Sequence, residues 1–218
     1  MSWEKTPNRL TIGRMFLAAI FFVLVGTFDS DRTHAVTYQW LLNIAFAIYV
    51  VAGITDVLDG WLARKYNWTS AFGRIVDPFV DKVLVLGAFA MLAGSNFTFS
   101  PGTSDFERSL PYWITGHSLT GVQAWMVVVI MGREFIISAI RGYSESQGLK
   151  FPATQAGKIK MLVQSVAICV TLFQIANLPD VPWAIAFRLL LVWLAVFVTV
   201  LSGFAYVKRS RKLILQNA

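Results

Sequence analysis

One cysteine, Cys169, and two histidines, His34 and His117, are all that the 218 residues offer of the side chains that most often build disulfides, zinc sites and neutral-pH bases. No disulfide can close within the chain, and a Cys/His metal cluster is excluded by count. Cys169 sits in an apolar stretch and is expected to be a buried, inert thiol. Charge is also scarce: Asp, Glu, Lys and Arg make up 14% of the residues against 56% hydrophobic ones, a balance unlike that of a soluble domain. Carboxylates are the rarer sign, 12 against 19 Lys and Arg.

What the chain has instead is long apolar runs, at about 12–28, 40–63, 74–94, 120–142, 156–177 and 182–206. The breaks between them are rich in Gly, Pro, Ser, Asn and charge. Roughly 20 apolar residues cross a bilayer as a helix, so the expectation is an all-α polytopic membrane protein with six transmembrane helices, forming one domain over 1–218. Lys5, Arg9, Arg14, Arg64, Lys65, Arg74, Arg141, Lys150, Lys158, Lys160, Lys208, Arg209, Arg211 and Lys212 gather at alternate span ends, while the opposite loops carry little beyond Arg32 and Arg108. By the positive-inside rule both termini are cytoplasmic. Trp40, Trp113 and Trp183 then mark the outer interface and Trp61 and Trp68 the inner one. The basic N-terminus ahead of an apolar stretch imitates a secretory signal, but further spans follow without a clear cleavage site, and the segment is expected to stay. The net charge of +7 suits this topology and anionic lipid headgroups. No basic stripe interleaved with aromatics speaks for nucleic acid.

Against that background the 26 residues from Asp56 to Asp81 stand out, because they read D-x2-D-G-x2-A-R-x8-G-x3-D-x3-D. An Asp at the centre of a membrane helix costs roughly 2.5 to 3.5 kcal/mol on insertion scales, so four of them call for a compensating partner. On a helix, Asp56, Asp59, Gly60 and Ala63 share one face, and Gly73, Asp77 and Asp81 follow at i, i+4, i+8. An antiparallel pair joined near 65–72 would bring the four carboxylates to one level near the cytoplasmic side. Four oxygen donors suit one or two hard divalent cations, with Mg²⁺ keeping positions open for substrate phosphates. Gly60, Ala63 and Gly73 leave the shared face without bulk, as a flat nucleotide needs, and Arg64 is a fork donor suited to a phosphate. Any one of these small residues alone would be read as close helix packing.

Asp56, Asp59, Gly60, Ala63, Arg64, Gly73, Asp77 and Asp81 together match the defining positions of the CDP-alcohol phosphotransferase family, which this chain resembles. That resemblance implies six membrane helices, a cytoplasm-facing site, a CDP-linked lipid donor, release of CMP and a homodimer. It also implies that Asp56, Asp59 and Asp77 ligate Mg²⁺ or Mn²⁺, in all two ions, with Asp81 completing the site and acting as base. Gly60, Ala63, Arg64 and Gly73 would hold the CDP moiety. A carboxylate base is independently reasonable, since both histidines fall in outer loops and no useful cysteine is at hand.

The acceptor is sought in the rest of the chain. Pro7, Asn8, Leu10, Thr11 and Arg14 form P-N-x-L-T-x-x-R, and Gly132 to Arg141 reads G-R-E-F-x-I-S-A-I-R, followed by Gly157, Lys158 and Lys160. These stretches resemble the branch of the family that joins CDP-diacylglycerol to sn-glycerol 3-phosphate in bacterial inner membranes, although Met161 stands where that branch more often has Thr. Arg133 lies about 15 Å inside the fourth span, where a guanidinium needs an anion. Arg133 and Arg141 are therefore candidates for the acceptor phosphate; Lys158 and Lys160 either line the same cavity or contact lipid headgroups, and the resemblance alone adds Lys158 to the candidates. An internal pair between Glu134 and either arginine is the equally simple structural alternative. Lys82 could neutralise Asp81 or a polar neighbour, and Arg188 is expected to snorkel to the outer interface. Rival assignments are a relative with another acceptor, of the cardiolipin-forming or inositol-phosphate-using type, an intramembrane prenyltransferase, or a divalent-cation transporter.

Overall fold

The apolar runs fold as helices in the computed structural model, which describes residues 6–30, 35–66, 71–147 and 155–216. Six of the helices are long: α1 (Thr6–Gly26), α2 (Ala35–Tyr66), α3 (Ala71–Leu92), α6 (Ala124–Ser146), α7 (Gln155–Asn177) and α8 (Pro182–Gln216). Two short ones, α4 (Asp105–Ser109) and α5 (Tyr112–Thr115), lie between α3 and α6. Among the described residues there is no strand, only an isolated bridge between Thr98 and Ser118, so the all-α expectation holds. Three helical segments are apolar and long enough to cross a membrane, Gln39–Leu58, Gln155–Asn177 and Pro182–Lys208. α1 and α3 carry shorter apolar stretches, Ile12–Gly26 and Lys82–Leu92. In α3 the acidic signature itself takes up the first half of the helix, and Arg133, Glu134 and Arg141 interrupt α6.

The long helices close into a ring in the order α1, α2, α7, α8, α6, α3, with α3 returning to α1. Each contributes a stripe spaced three or four residues apart, the pattern that turns one face of a helix inward. Examples are Ala18, Phe21 and Val25 on α1, Leu42, Ala45, Tyr49 and Ala52 on α2, and Ile168, Leu172 and Ala176 on α7. Phe21 meets Tyr49 with ring centroids 5.5 Å apart. Gly87 lets α3 approach α1 closely: a Cβ there would lie 2.4 Å from the Phe22 ring. Side-chain hydrogen bonds stitch the ring in places, as between Asn43 and Asn177 (2.8 Å) and between Gln164 and Thr199 (2.9 Å).

The connection from α3 to α6 folds back onto the bundle. Thr120 donates to the Leu92 carbonyl at 2.7 Å, Asn96 donates to that of Val25 at 3.0 Å, and Phe97 stacks on Phe28 at 4.5 Å. Ser104 caps α4, accepting from the Glu107 N–H. Glu107 then reaches Arg188 of α8 at 2.7 Å, both side chains being 1% exposed. Arg188 also donates to Gln174 at 2.5 Å. It does not snorkel: its guanidinium is buried against Glu107 and Gln174. Trp40, Trp113 and Trp183 are exposed, as a lipid-facing belt requires; Trp68 lies outside the described residues. Cys169 is free but only half-buried, less enclosed than its apolar setting suggested.

Candidate active site

The buried stripes turn polar at one end of the bundle. On α1 the stripe through Ala18 and Phe21 begins with Arg14, 1% exposed. On α2 the stripe through Tyr49 and Ala52 runs on to Asp56. On α7 it begins with Lys160, and on α6 Met126 and Ile130 lead to Glu134. On α8 it ends in Thr199, Ser202 and Tyr206. The helices alternate in which terminus carries the polar positions, as neighbours running up and down must if those positions share one end.

Contacts tie these ends together. Arg14 forms an ion pair with Asp56, joining α1 to the first aspartate of the signature. The Asp56 side chain keeps 36% of its surface exposed, so it is held on one side and open on another. A partly open carboxylate is a fitting donor for a hard cation. Asp59, Gly60, Ala63 and Arg64 lie in α2, and Gly73, Asp77 and Asp81 in α3, so the backbone is helical at each of these signature positions. Their side chains lie outside the described residues, and with them the expected meeting of four carboxylates. No cluster of three or more acidic, His or Cys side chains occurs among the described residues.

A second polar group joins α6, α7, α8 and α3. Glu134 takes Arg133 at 2.7 Å and Lys160 at 2.5 Å, both on the same oxygen, Oε1. Arg133 also donates to the Ser202 hydroxyl at 3.1 Å. Lys82 of α3 donates to the hydroxyl of Ser138, one turn along α6 from Glu134. The internal pair weighed for Glu134 therefore exists, with Arg133, and a lysine joins it. Arg141 and Lys158 are exposed, whereas Lys160 is 4% exposed. Met161 is 43% exposed and turned away from this group.

Arg14 and Lys160, which sequence places at cytoplasmic span ends, both face inward. Their helical spacing from the apolar stripes was the signal that could have found them: Arg14 stands four residues before Ala18, and Lys160 eight before Ile168. Ser138 and Ser202 carried no signal of their own.

The Arg14–Asp56 pair and the group of Arg133, Glu134 and Lys160 thus set charged side chains inside an otherwise apolar stretch of the ring. The profile of the CDP-alcohol phosphatidyltransferase family matches residues 4–201. The chain belongs to that family, and so to the phosphatidyltransferase enzymes. Similar proteins span it almost fully. It is 32% identical over 207 residues to the CDP-diacylglycerol–glycerol-3-phosphate 3-phosphatidyltransferase of Bacillus subtilis, with 94% of each chain covered. The protein of that name from Haemophilus influenzae is 29% identical, over 97% of this chain and 96% of its own. The one from Rickettsia felis is 25% identical, over 96% and 97%.

Proposed function

We propose that the protein transfers the phosphatidyl group of CDP-diacylglycerol to sn-glycerol 3-phosphate, giving phosphatidylglycerophosphate and CMP. The observation that carries this is the link between two halves of one site. The helix holding Asp77 and Asp81 also holds Lys82, which reaches α6 one turn from Glu134, the partner of Arg133 and Lys160. An acidic, metal-binding half and a cationic half fit a reaction between a diphosphate donor and a phosphorylated alcohol. The named relatives, matched over nearly their whole length, support the same pairing of substrates.

In this scheme Asp56, Asp59, Asp77 and Asp81 hold one or two divalent cations, Mg²⁺ or Mn²⁺, while Gly60, Ala63, Arg64 and Gly73 receive the CDP group. A bound cation would supply positive charge against the negative charge that develops on the reacting oxygens. Asp81 accepts the proton of the acceptor hydroxyl. That oxygen bonds to the phosphorus on the diacylglycerol side as the bond from this phosphorus to the bridging oxygen breaks, and CMP leaves with the bridging oxygen. Arg14 steadies Asp56. Arg133 grips the acceptor phosphate, with Arg141 and Lys158 nearer the entrance and Lys160 deeper.

All six long helices span the membrane in this scheme, forming a single domain over 1–218 with both termini and the active site on the cytoplasmic side. The inner membrane of a bacterium and a homodimeric state complete it. An acceptor panel tests the reading: purified protein, CDP-diacylglycerol and glycerol 3-phosphate, glycerol, inositol phosphate or phosphatidylglycerol, with the lipid product identified by mass. Phosphatidylglycerophosphate should dominate. Preference for any other acceptor would retain the chemistry and replace the substrate.

A further inference from the structure

Lys82 is next to the proposed base in sequence, yet its ammonium group is engaged on α6, where Ser138 accepts from it. The Ser138 hydroxyl spends its own proton on the Glu134 carbonyl at 2.7 Å, so toward Lys82 it acts purely as acceptor and fixes the ammonium beside the turn that carries Glu134. Lys82 and Lys160 both reach the same stretch of α6, the first at Ser138 and the second at Glu134 one turn before it. Lys160 and Arg133 in turn share one oxygen of Glu134. Among the described side chains, two cations thus flank one carboxylate and Lys82 stands one turn away on Ser138, three positive charges against one negative. The Lys160 and Arg133 side chains are only 5% and 12% exposed, where water compensates little of that excess.

Donor capacity is also left over. An ammonium has three N–H groups and a guanidinium five. Lys82 and Lys160 each spend one in the contacts described, and the buried Nε of Arg133 has no hydrogen-bond partner. A phosphate monoester, with about 1.5 to 2 negative charges near neutral pH and three terminal acceptor oxygens, matches both the charge and the donors. A neutral alcohol or a single carboxylate matches neither.

We infer that Lys82, held by Ser138, is the third cation of the acceptor-phosphate pocket beside Arg133 and Lys160, and that it ties this pocket to the turn of α3 carrying Asp81. This rests on the reading above that the acceptor is a phosphate ester. It assigns Lys82 to acceptor affinity and not to the neighbouring carboxylates. Glu134 holds two of the cations on one oxygen and so acts as a positioning residue.

The test uses the full chain in lipid nanodiscs and inorganic phosphate as probe, with binding read by calorimetry and turnover read separately. Lys82→Gln should weaken phosphate binding at least about tenfold and raise the KM for glycerol 3-phosphate by a similar factor, with the KM for CDP-diacylglycerol unchanged. Lys82→Arg should restore most of the affinity. Wild-type phosphate affinity in Lys82→Gln, with the loss confined to kcat, would overturn the inference and assign the lysine to Asp81 instead. Ser138→Ala keeps every charge and serves if Lys82→Gln does not fold: about threefold weaker phosphate binding supports the pocket, and unchanged binding overturns it. Phosphate binding needs no turnover, so dependence on Lys82 would stand even if another phosphorylated alcohol proved to be the acceptor.

Discussion

Arg14 of α1, buried at the head of an apolar stripe, forms an ion pair with Asp56 of α2, the first carboxylate of the acidic signature. The N-terminal helix therefore serves the site directly. Removing one partner of a largely buried pair leaves the other uncompensated, at about 3–5 kcal/mol when both are fully buried and less here, where Asp56 is partly open. Arg14→Ala should lower the melting temperature in the presence of a chelator. If Asp56 is a metal ligand, Mg²⁺ should recover more of the lost stability in this variant than it adds to the wild type, because the cation takes over the compensating charge. Thermal unfolding with and without Mg²⁺ measures both, and a loss indifferent to Mg²⁺ would count against Asp56 as a ligand.

Asp81→Asn keeps size and one ligand oxygen but is a poor base. Turnover should fall by about 10²–10⁴ while CDP-diacylglycerol still binds. Asp56→Ala or Asp77→Ala should instead lose metal and donor affinity together. Equilibrium binding of donor and metal beside steady-state rates separates the two patterns. Near-normal activity in Asp81→Asn would remove it as the base.

Arg133 touches Glu134 and Ser202, so its loss should act on both binding and packing. Arg133→Ala should raise the KM for glycerol 3-phosphate about tenfold or more and spare that of the donor, since a charge-assisted hydrogen bond contributes about 1.5–3 kcal/mol. Glu134→Gln should also disturb the acceptor KM by releasing Lys160. Instability in both variants with no change in acceptor KM would assign the group a purely structural role.

The pair of Glu107 and Arg188 lies far from this chemistry in sequence and anchors the α3–α6 connection to α8. Glu107→Ala should destabilise by about 3–5 kcal/mol, because a buried guanidinium loses its counter-charge. Glu107→Leu combined with Arg188→Met should cost less than either change alone. Unfolding in detergent checks the order of stabilities, and a double variant no better than the singles would contradict it.

The long helices and the acidic signature were legible because both rest on periodicity: runs of about 20 apolar residues, and carboxylates at i, i+3 or i, i+4. The structure reproduces the six runs within a few residues at most ends, although α8 continues to Gln216. The α3–α6 connection was not legible. Its order comes from Thr120, Asn96, Ser104 and Glu107, polar residues whose partners are distant in sequence or on the backbone. The inward positions of Arg14 and Lys160 have a related origin: a census of Lys and Arg by loop gives only the side of the membrane, and register with the apolar stripe gives the face. Arg188 shows the same effect at the other end, since its partner Glu107 arrives on a five-residue helix with no periodic signal.

The central claim is transfer between two named substrates, and the most direct measurement is the coupled yield of its two products. Purified protein with Mg²⁺, CDP-diacylglycerol and labelled sn-glycerol 3-phosphate should release one CMP for each labelled lipid formed. Omitting the acceptor or chelating the metal should reduce both to background. CMP release that ignores glycerol 3-phosphate, labelled lipid without CMP, or divalent cation moving across sealed vesicles with neither product would contradict the account.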